Sequence, residues 1–447
     1  MKIRSASSTG RRESVLLAAQ EFRREPRRFP RASHEWDFTA VSVGTHPPRS
    51  ILFSPAWPRT RSRTPMRFFK RILCSSLLVC VAMQAQERNG LDVQKARSAH
   101  VAGRAKRVYY THSWDLSGLP GYRPTQIVSG TIREWGSNYF ADSDLNSYWE
   151  TAFHQFQPGV TFDVHMRTAL EAAPALATGV ANLAACRLFT FSEEELYERA
   201  FGHEPLRILI ATGSYDVPGW SPALAIVTNK ANPISKLTLR QLDGIFGAAR
   251  SGGYQGTTWH PEIGRPASQD IRTWGQLGLT GKWKNAPIHV YGLNLEYGMA
   301  RDFEQLVFHG GDKWTESLRE YANYATPAGT LQIATQQLMV DLSRDPYGIG
   351  YSGVMFLTPQ TKTLALAESP ASPYVPLTIE TVQARTYPLL LDVYFYLDRK
   401  PGKPVDPTLK EFLEFVLSRQ GQQAVARDGK FLPLTPEAAQ EQLKKLQ

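Results

Sequence analysis

An α/β fold with two lobes is what this sequence of 447 residues predicts, and three observations carry the prediction. From Thr131 onward, short apolar strand candidates alternate with amphipathic helices. Helix starts carry recognisable capping chemistry, in which a side-chain oxygen satisfies a free backbone N–H. Two strand candidates, Ala223–Thr228 and Leu389–Leu397, lie where the local pattern changes, so they read as crossings between lobes. No internal repeat or low-complexity run follows residue 86.

The elements follow in chain order. Leu145, Trp149, Ala152 and Phe156 recur at three- and four-residue spacing behind Asp142-Ser143, which predicts a capped amphipathic helix. Ser192 with Glu195 has the spacing of a capping box, and Gly202 supplies a stop. Thr238 with Gln241 repeats the pattern ahead of Leu239, Leu242 and Phe246, and Gly247 closes the helix. Near the C-terminus, Asp406 and Pro407 suit the cap and first position of a helix bearing Leu409, Phe412 and Val416. Arg207–Ala211, Ala223–Val227, Ile288–Tyr291 and Leu389–Leu397 are β-branched or aromatic enough for strands.

Charge is concentrated at one end. The net charge of +10 arises mostly from residues 1–65, which hold 13 Lys/Arg against 5 Asp/Glu; residues 86–447 hold 35 against 36. The folded part is therefore close to neutral, and the high isoelectric point implies no anionic polymer as partner. Residues 66–85, MRFFKRILCSSLLVCVAMQA, run from a basic start through a short apolar stretch to small residues at Ala85, the layout of a secretory signal peptide. That stretch is too short to span a bilayer, which takes ~20 residues. Residues 1–65 read as a disordered or untranslated extension, with Met66 the expected start. Cleavage leaves Cys186 as the sole cysteine, so the mature chain forms no internal disulfide. Neither Cys74 nor Cys80 has the small residues of a lipoprotein cleavage site before it, so support for a lipid anchor is weak.

Several chemistries find little footing. Gly348-Ile349-Gly350-Tyr351-Ser352-Gly353 has dinucleotide-fingerprint spacing, but Asp345-Pro346 precedes it and no helical pattern follows, so it reads as a glycine-rich strand or turn. The ten His residues form no metal pattern, and His309-Gly310-Gly311-Asp312 reads as a solvated loop. Ser352 lacks a hydrolase elbow, and no Lys/Arg stripe interleaves with aromatics. Thr212–Trp220 reads as a surface loop, with Asp216 and Trp220 entering a cleft as the alternative.

The segments Asn232-Pro233-Ile234, Leu237–Phe246, Thr273–Trp283, Pro287–Gly292, Tyr347–Gly353, Lys400–Pro407 and Gly429–Leu434 closely resemble periplasmic phosphate-binding proteins of ABC transporters. The resemblance spans roughly residues 130–447. It implies a two-lobed type II periplasmic-binding fold, each lobe a mixed sheet flanked by helices. The expected division is 107–227 with 386–447 for the first lobe and 228–385 for the second. It further implies an anion held between the lobes by hydroxyls, helix-start amides and an arginine.

Carried onto this sequence, the ligand loops give Gly136, Ser137, Asn138, Arg167, Thr168, Asn294, Tyr297 and Gly298 as candidate binding residues, with none catalytic or metal-ligating. The loops depart from the family pattern. Asn138-Tyr139 follows Gly136-Ser137, Ala169-Leu170-Glu171 occupies a hydroxyl-rich stretch, and Leu293–Met299 stands where the family has Arg-Asn-Ser-x-Ser-Gly-Thr. Glu171 or Glu296 in the cleft would repel an anion, whereas Arg167, Thr168 or Arg301 would offer replacement donors.

The expected function is a periplasmic solute-binding protein of an ABC transporter, working with a membrane permease. It is expected to be a monomer, without cofactor, nucleic acid or catalysis. The alternative is a cell-envelope binding or sensor protein with the same fold and a different ligand.

Overall fold

The computed structural model describes residues 93, 95–102 and 107–447. The extension 1–65 and the signal segment 66–85 lie outside the described residues.

Ten strands build two five-stranded sheets. They are β1 Ser129–Gly136, β2 Gly159–His165, β3 Leu183–Cys186, β4 Leu206–Ala211, β5 Ala225–Asn229, β6 His289–Leu293, β7 Arg319–Tyr321, β8 Gly348–Ser352, β9 Thr361–Thr363 and β10 Val393–Leu397. The first sheet has the order β2-β1-β3-β10-β4 and the second β7-β6-β8-β5-β9. In each, three neighbouring strands are parallel, and the strand that has crossed from the other lobe runs antiparallel among them. The main helices are α1 Leu145–His154, α2 Phe191–Phe201, α3 Leu239–Phe246, α4 Gly298–Val307, α5 Ala334–Leu342, α6 Pro407–Val416, α7 Arg419–Asp428 and α8 Pro436–Lys445.

Buried aromatic residues hold each lobe. In the first, Trp149 of α1 is 0% exposed, and its indole N–H donates to the Gly421 carbonyl of α7 at 2.8 Å. Phe153 packs edge-on against Phe412 of α6, centroids 5.2 Å apart. Truncating such a side chain to Ala costs about 3–5 kcal/mol. In the second lobe Phe303, Trp314 and Tyr351 stack, and buried Asp243 accepts from Arg250 (2.5 and 2.8 Å) and Arg265 (3.0 Å). With 2% exposure at Asp243, that paired network is the arrangement a buried carboxylate requires.

The caps expected at Thr238 and Asp406 are present: Thr238 accepts from Gln241 N, and Asp406 accepts from Thr408 N and Leu409 N. The capping box expected on Ser192 and Glu195 forms two residues earlier instead. Thr190 N–H and Oγ1 donate to Glu193 Oε2 at 2.8 and 3.0 Å, because Thr190 is the last residue with extended backbone. Ahead of α1 the cap is Asp144, with Ser143 Oγ accepting from Leu145 N. The glycine-rich stretch is the strand β8, every residue of it buried between β6 and β5, so no nucleotide can approach it.

Residues 212–224 and 384–392 carry the chain between the sheets and pair with each other. Leu224 N donates to Leu389 O at 3.0 Å, and the Tyr387 hydroxyl donates to Leu224 O at 2.8 Å. A Cβ on Gly213 would lie 2.1 Å from Leu391 O, so only glycine fits where the two segments touch. Arg385 clamps the crossing from a left-handed backbone (φ +59°), donating to Thr212 Oγ1 at 3.0 Å and to both Asp392 oxygens at 2.7 and 2.6 Å. The expected boundary at 227 falls inside β5, all of which pairs in the second sheet. The surface loop expected at Thr212–Trp220 is instead largely interior. Thr212, Ser214, Val217 and Trp220 are 0% exposed, since this segment is the crossing and the aromatic packing closes over it.

Candidate functional site

A cleft of about 1110 Å³ opens where the parallel strands of both sheets end at their carboxyl termini, the usual ligand position in α/β sheets. Gly136 closes β1, and its φ of +145° brings the backbone so near β3 that a Cβ would meet Ala185 O at 2.0 Å. Ser137 follows and caps a short helix, its Oγ accepting from Tyr139 N at 3.4 Å, which leaves the hydroxyl proton for another acceptor. Thr168, beyond β2, caps the turn Ala169–Glu171 in the same way, accepting from Leu170 N. Tyr297 and Gly298, beyond β6, form the start of α4 with no acidic residue in its first turn. That exposes the positive end of a helix dipole to the cleft.

Five of the eight candidate residues, Ser137, Asn138, Thr168, Tyr297 and Gly298, thus line one cleft. The Asn138 side chain is engaged by Asp142 at 3.1 Å. Gly136, Arg167 and Asn294 are not among the lining residues. The Asn294 side chain accepts from Glu296 N at 3.2 Å and donates to Glu320 of β7 at 3.4 Å. Arg167 is exposed. Arg301, a possible replacement donor, lines the cleft but is held by Glu296 (2.9 and 3.0 Å) and Glu304 (3.2 Å). Glu296 is thus ion-paired to Arg301. Glu171 is not a lining residue.

Sequence reasoning missed three groups. Arg187 emerges from β3 into the cleft and is bonded to Glu193 at 2.9 and 3.3 Å. The position immediately after a fully buried strand was the signal that would have found it. Asp302, on α4 of the opposite lobe, also lines the cleft; burial raises its carboxyl to about 7, against the pull of Arg187. Thr335, on α5, lines it as well, and nothing in the local sequence distinguishes this threonine. Cys186 is inert at neutral pH, since burial pushes its thiol up to about 12.

The lobes also meet across the cleft mouth. The hairpin Gly253–Gln255 with Thr258–His260, from the second lobe, reaches α2 of the first. Tyr254 lies against Phe191 at 4.2 Å between centroids, and Thr257 Oγ1 donates to Glu198 Oε2 at 2.6 Å. Chemically the cleft offers hydroxyl protons and helix-start amides; of its lining cations, Arg187, Arg250 and Arg301 are paired to carboxylates, and Arg97 and Lys313 also line it. Among the described residues no group of three or more His, Cys, Asp or Glu is placed to hold a metal, and no helix is long and apolar enough to cross a membrane.

Comparison with known proteins agrees with this architecture. A PBP superfamily domain model matches residues 127–420. The phosphate-binding protein PstS of Pseudomonas aeruginosa is 32% identical over 329 residues, covering 73% of this chain and 90% of that protein. Protein SphX of Synechococcus elongatus is 25% identical over 228 residues, 50% of this chain and 57% of SphX. Among solved structures, PstS from Borrelia burgdorferi is 15% identical with a TM-score of 0.44, covering 69% of this chain and 100% of its own. An ABC-type phosphate transport receptor from Vibrio cholerae is 17% identical with a TM-score of 0.41, covering 67% and 99%. The domain model and the P. aeruginosa relative, taken with the two mixed sheets and the cleft between them, show that the chain belongs to the PstS family of the PBP superfamily.

Proposed function

We propose that this protein is an extracytoplasmic solute-binding protein of an ABC transporter that holds phosphate or a related small anion between its lobes and delivers it to a membrane permease. The carrying observation is that Ser137, Thr168 and the start of α4, from both lobes, line one cleft in a member of this family. Their hydroxyl protons and amide N–H groups replace the hydration of an oxyanion without net positive charge. In this reading β5 goes with the second lobe, so the expected division becomes 107–224 with 386–447 for the first lobe and 225–385 for the second. The protein is periplasmic, monomeric and not catalytic; residues 66–85 are its signal peptide, and the P. aeruginosa relative carries a phosphate-binding protein name.

Lobe closure on phosphate is the test of this role. Small-angle scattering of residues 86–447 should show a smaller radius of gyration on adding phosphate, by roughly 1 Å for a hinge motion. An unchanged radius at saturating phosphate would contradict a closing receptor.

A further inference from the structure

The second lobe offers one hydroxyl outside the usual ligand loops, Thr335, linked through Asn323 to the Tyr297 hydroxyl of the third loop. Strands β6 and β7 are parallel neighbours, so their carboxyl ends open on the same side of the sheet. Beyond β6 lies the start of α4. Beyond β7 a small hairpin, Tyr324–Ala325 paired with Leu331–Gln332, leads to the start of α5. Asn323 ties the two starts together. Its N–H donates to the Tyr297 hydroxyl at 2.8 Å, and its Oδ1 accepts from Ala334 N at 2.8 Å.

Thr335 sits in the first turn of α5 and lines the cleft; it is 5% exposed, and its Oγ1 has no hydrogen-bond partner among the described residues. A buried hydroxyl without a partner costs about 1–3 kcal/mol, so an acceptor reaching Thr335 through the cleft would be stabilising. The first turn of α5 contains no acidic residue, and the early N–H groups of any helix lack intrahelical partners. The Tyr297 oxygen already accepts from Asn323, so its proton is the part left to donate.

We infer that Thr335 and Tyr297, with the start of α5, form an oxyanion subsite of the second lobe, standing in for the arginine and hydroxyls absent from Leu293–Met299. This rests on the anion-receptor reading above. Ser137 and Thr168 grip the anion from the first lobe, and the Thr335–Tyr297 pair completes its coordination on closure.

The test is calorimetric titration of inorganic phosphate into the wild type, Thr335→Val, Thr335→Ser and Ser137→Ala, with a thermal melt of each phosphate-free protein. Thr335→Val should weaken phosphate binding ~10-fold or more, the scale of a hydrogen bond to a charged group. Its phosphate-free melting temperature should hold or rise, since an unpartnered hydroxyl is removed, and Thr335→Ser should keep wild-type affinity. Unchanged affinity in Thr335→Val beside weakened Ser137→Ala would overturn the subsite and leave the receptor reading standing. Equal loss in Thr335→Ser and Thr335→Val would also overturn it, since the hydroxyl would then not be the cause. A wild type that ignores millimolar phosphate would overturn both.

Discussion

At the scale of single residues, Glu134 is the most conspicuous cost in the fold. It is 0% exposed on β1, neither carboxylate oxygen makes a well-formed hydrogen bond among the described residues, and burial, with the charge of Glu150 adding and the nearby Asn146 amide opposing, raises its carboxyl to about 8. The folded chain therefore binds a proton here that the unfolded chain has lost, between about pH 4.5 and 8. Stability contributed by this site falls as pH rises through that window. Glu134→Gln should thus raise stability by about 1–3 kcal/mol at pH 8, with the gain shrinking toward pH 5. Chemical denaturation at both pH values checks it; a variant less stable than wild type at pH 8 would mean that the ionised carboxylate is favourably held. Nothing in the sequence singled out Glu134. Its burial comes from α1 closing over the sheet, a long-range event without a local signal.

At the scale of elements, local chemistry was legible where one answer existed and ambiguous where two did. Thr238 with Gln241 and Asp406 with Pro407 had no competing caps, and both helices begin there. Around α2, Thr190 with Glu193 and Ser192 with Glu195 satisfy the same spacing rule, and only the extended backbone at Thr190 decides between them. Strand β8 was obscured by its glycines, which are there because space is short: a Cβ on Gly350 would meet Leu338 at 3.0 Å. The crossings make a sharper prediction. Gly213→Ala forces a Cβ against Leu391 O and Ser221 O and should destabilise by about 2 kcal/mol or more. A loss under ~0.5 kcal/mol in urea unfolding would show that the two crossing segments can separate cheaply.

At the scale of the whole molecule, function depends on how the two lobes share the work. The family resemblance gave the fold and the approximate loops, and five of eight candidate residues line the cleft. What it could not give is which further groups of the two lobes line the cleft. Arg187, Asp302 and Thr335 come from three separate elements that only tertiary structure brings together. The contact between Thr257 and Glu198 belongs to this scale, because it joins the hairpin of the second lobe to α2 of the first. Thr257→Val should reduce the closed population and weaken apparent ligand affinity several-fold without touching any binding residue. Calorimetry on that variant checks this, and unchanged affinity would make the hairpin contact irrelevant to closure.

The central claim is that this cleft binds a small oxyanion although the family's arginine and several hydroxyls are replaced. Calorimetric titration of refolded, ligand-stripped residues 86–447 with inorganic phosphate at neutral pH tests it most directly. Micromolar or tighter binding, with one phosphate per chain, is the predicted result; absence of heat up to millimolar phosphate from correctly folded protein would contradict it.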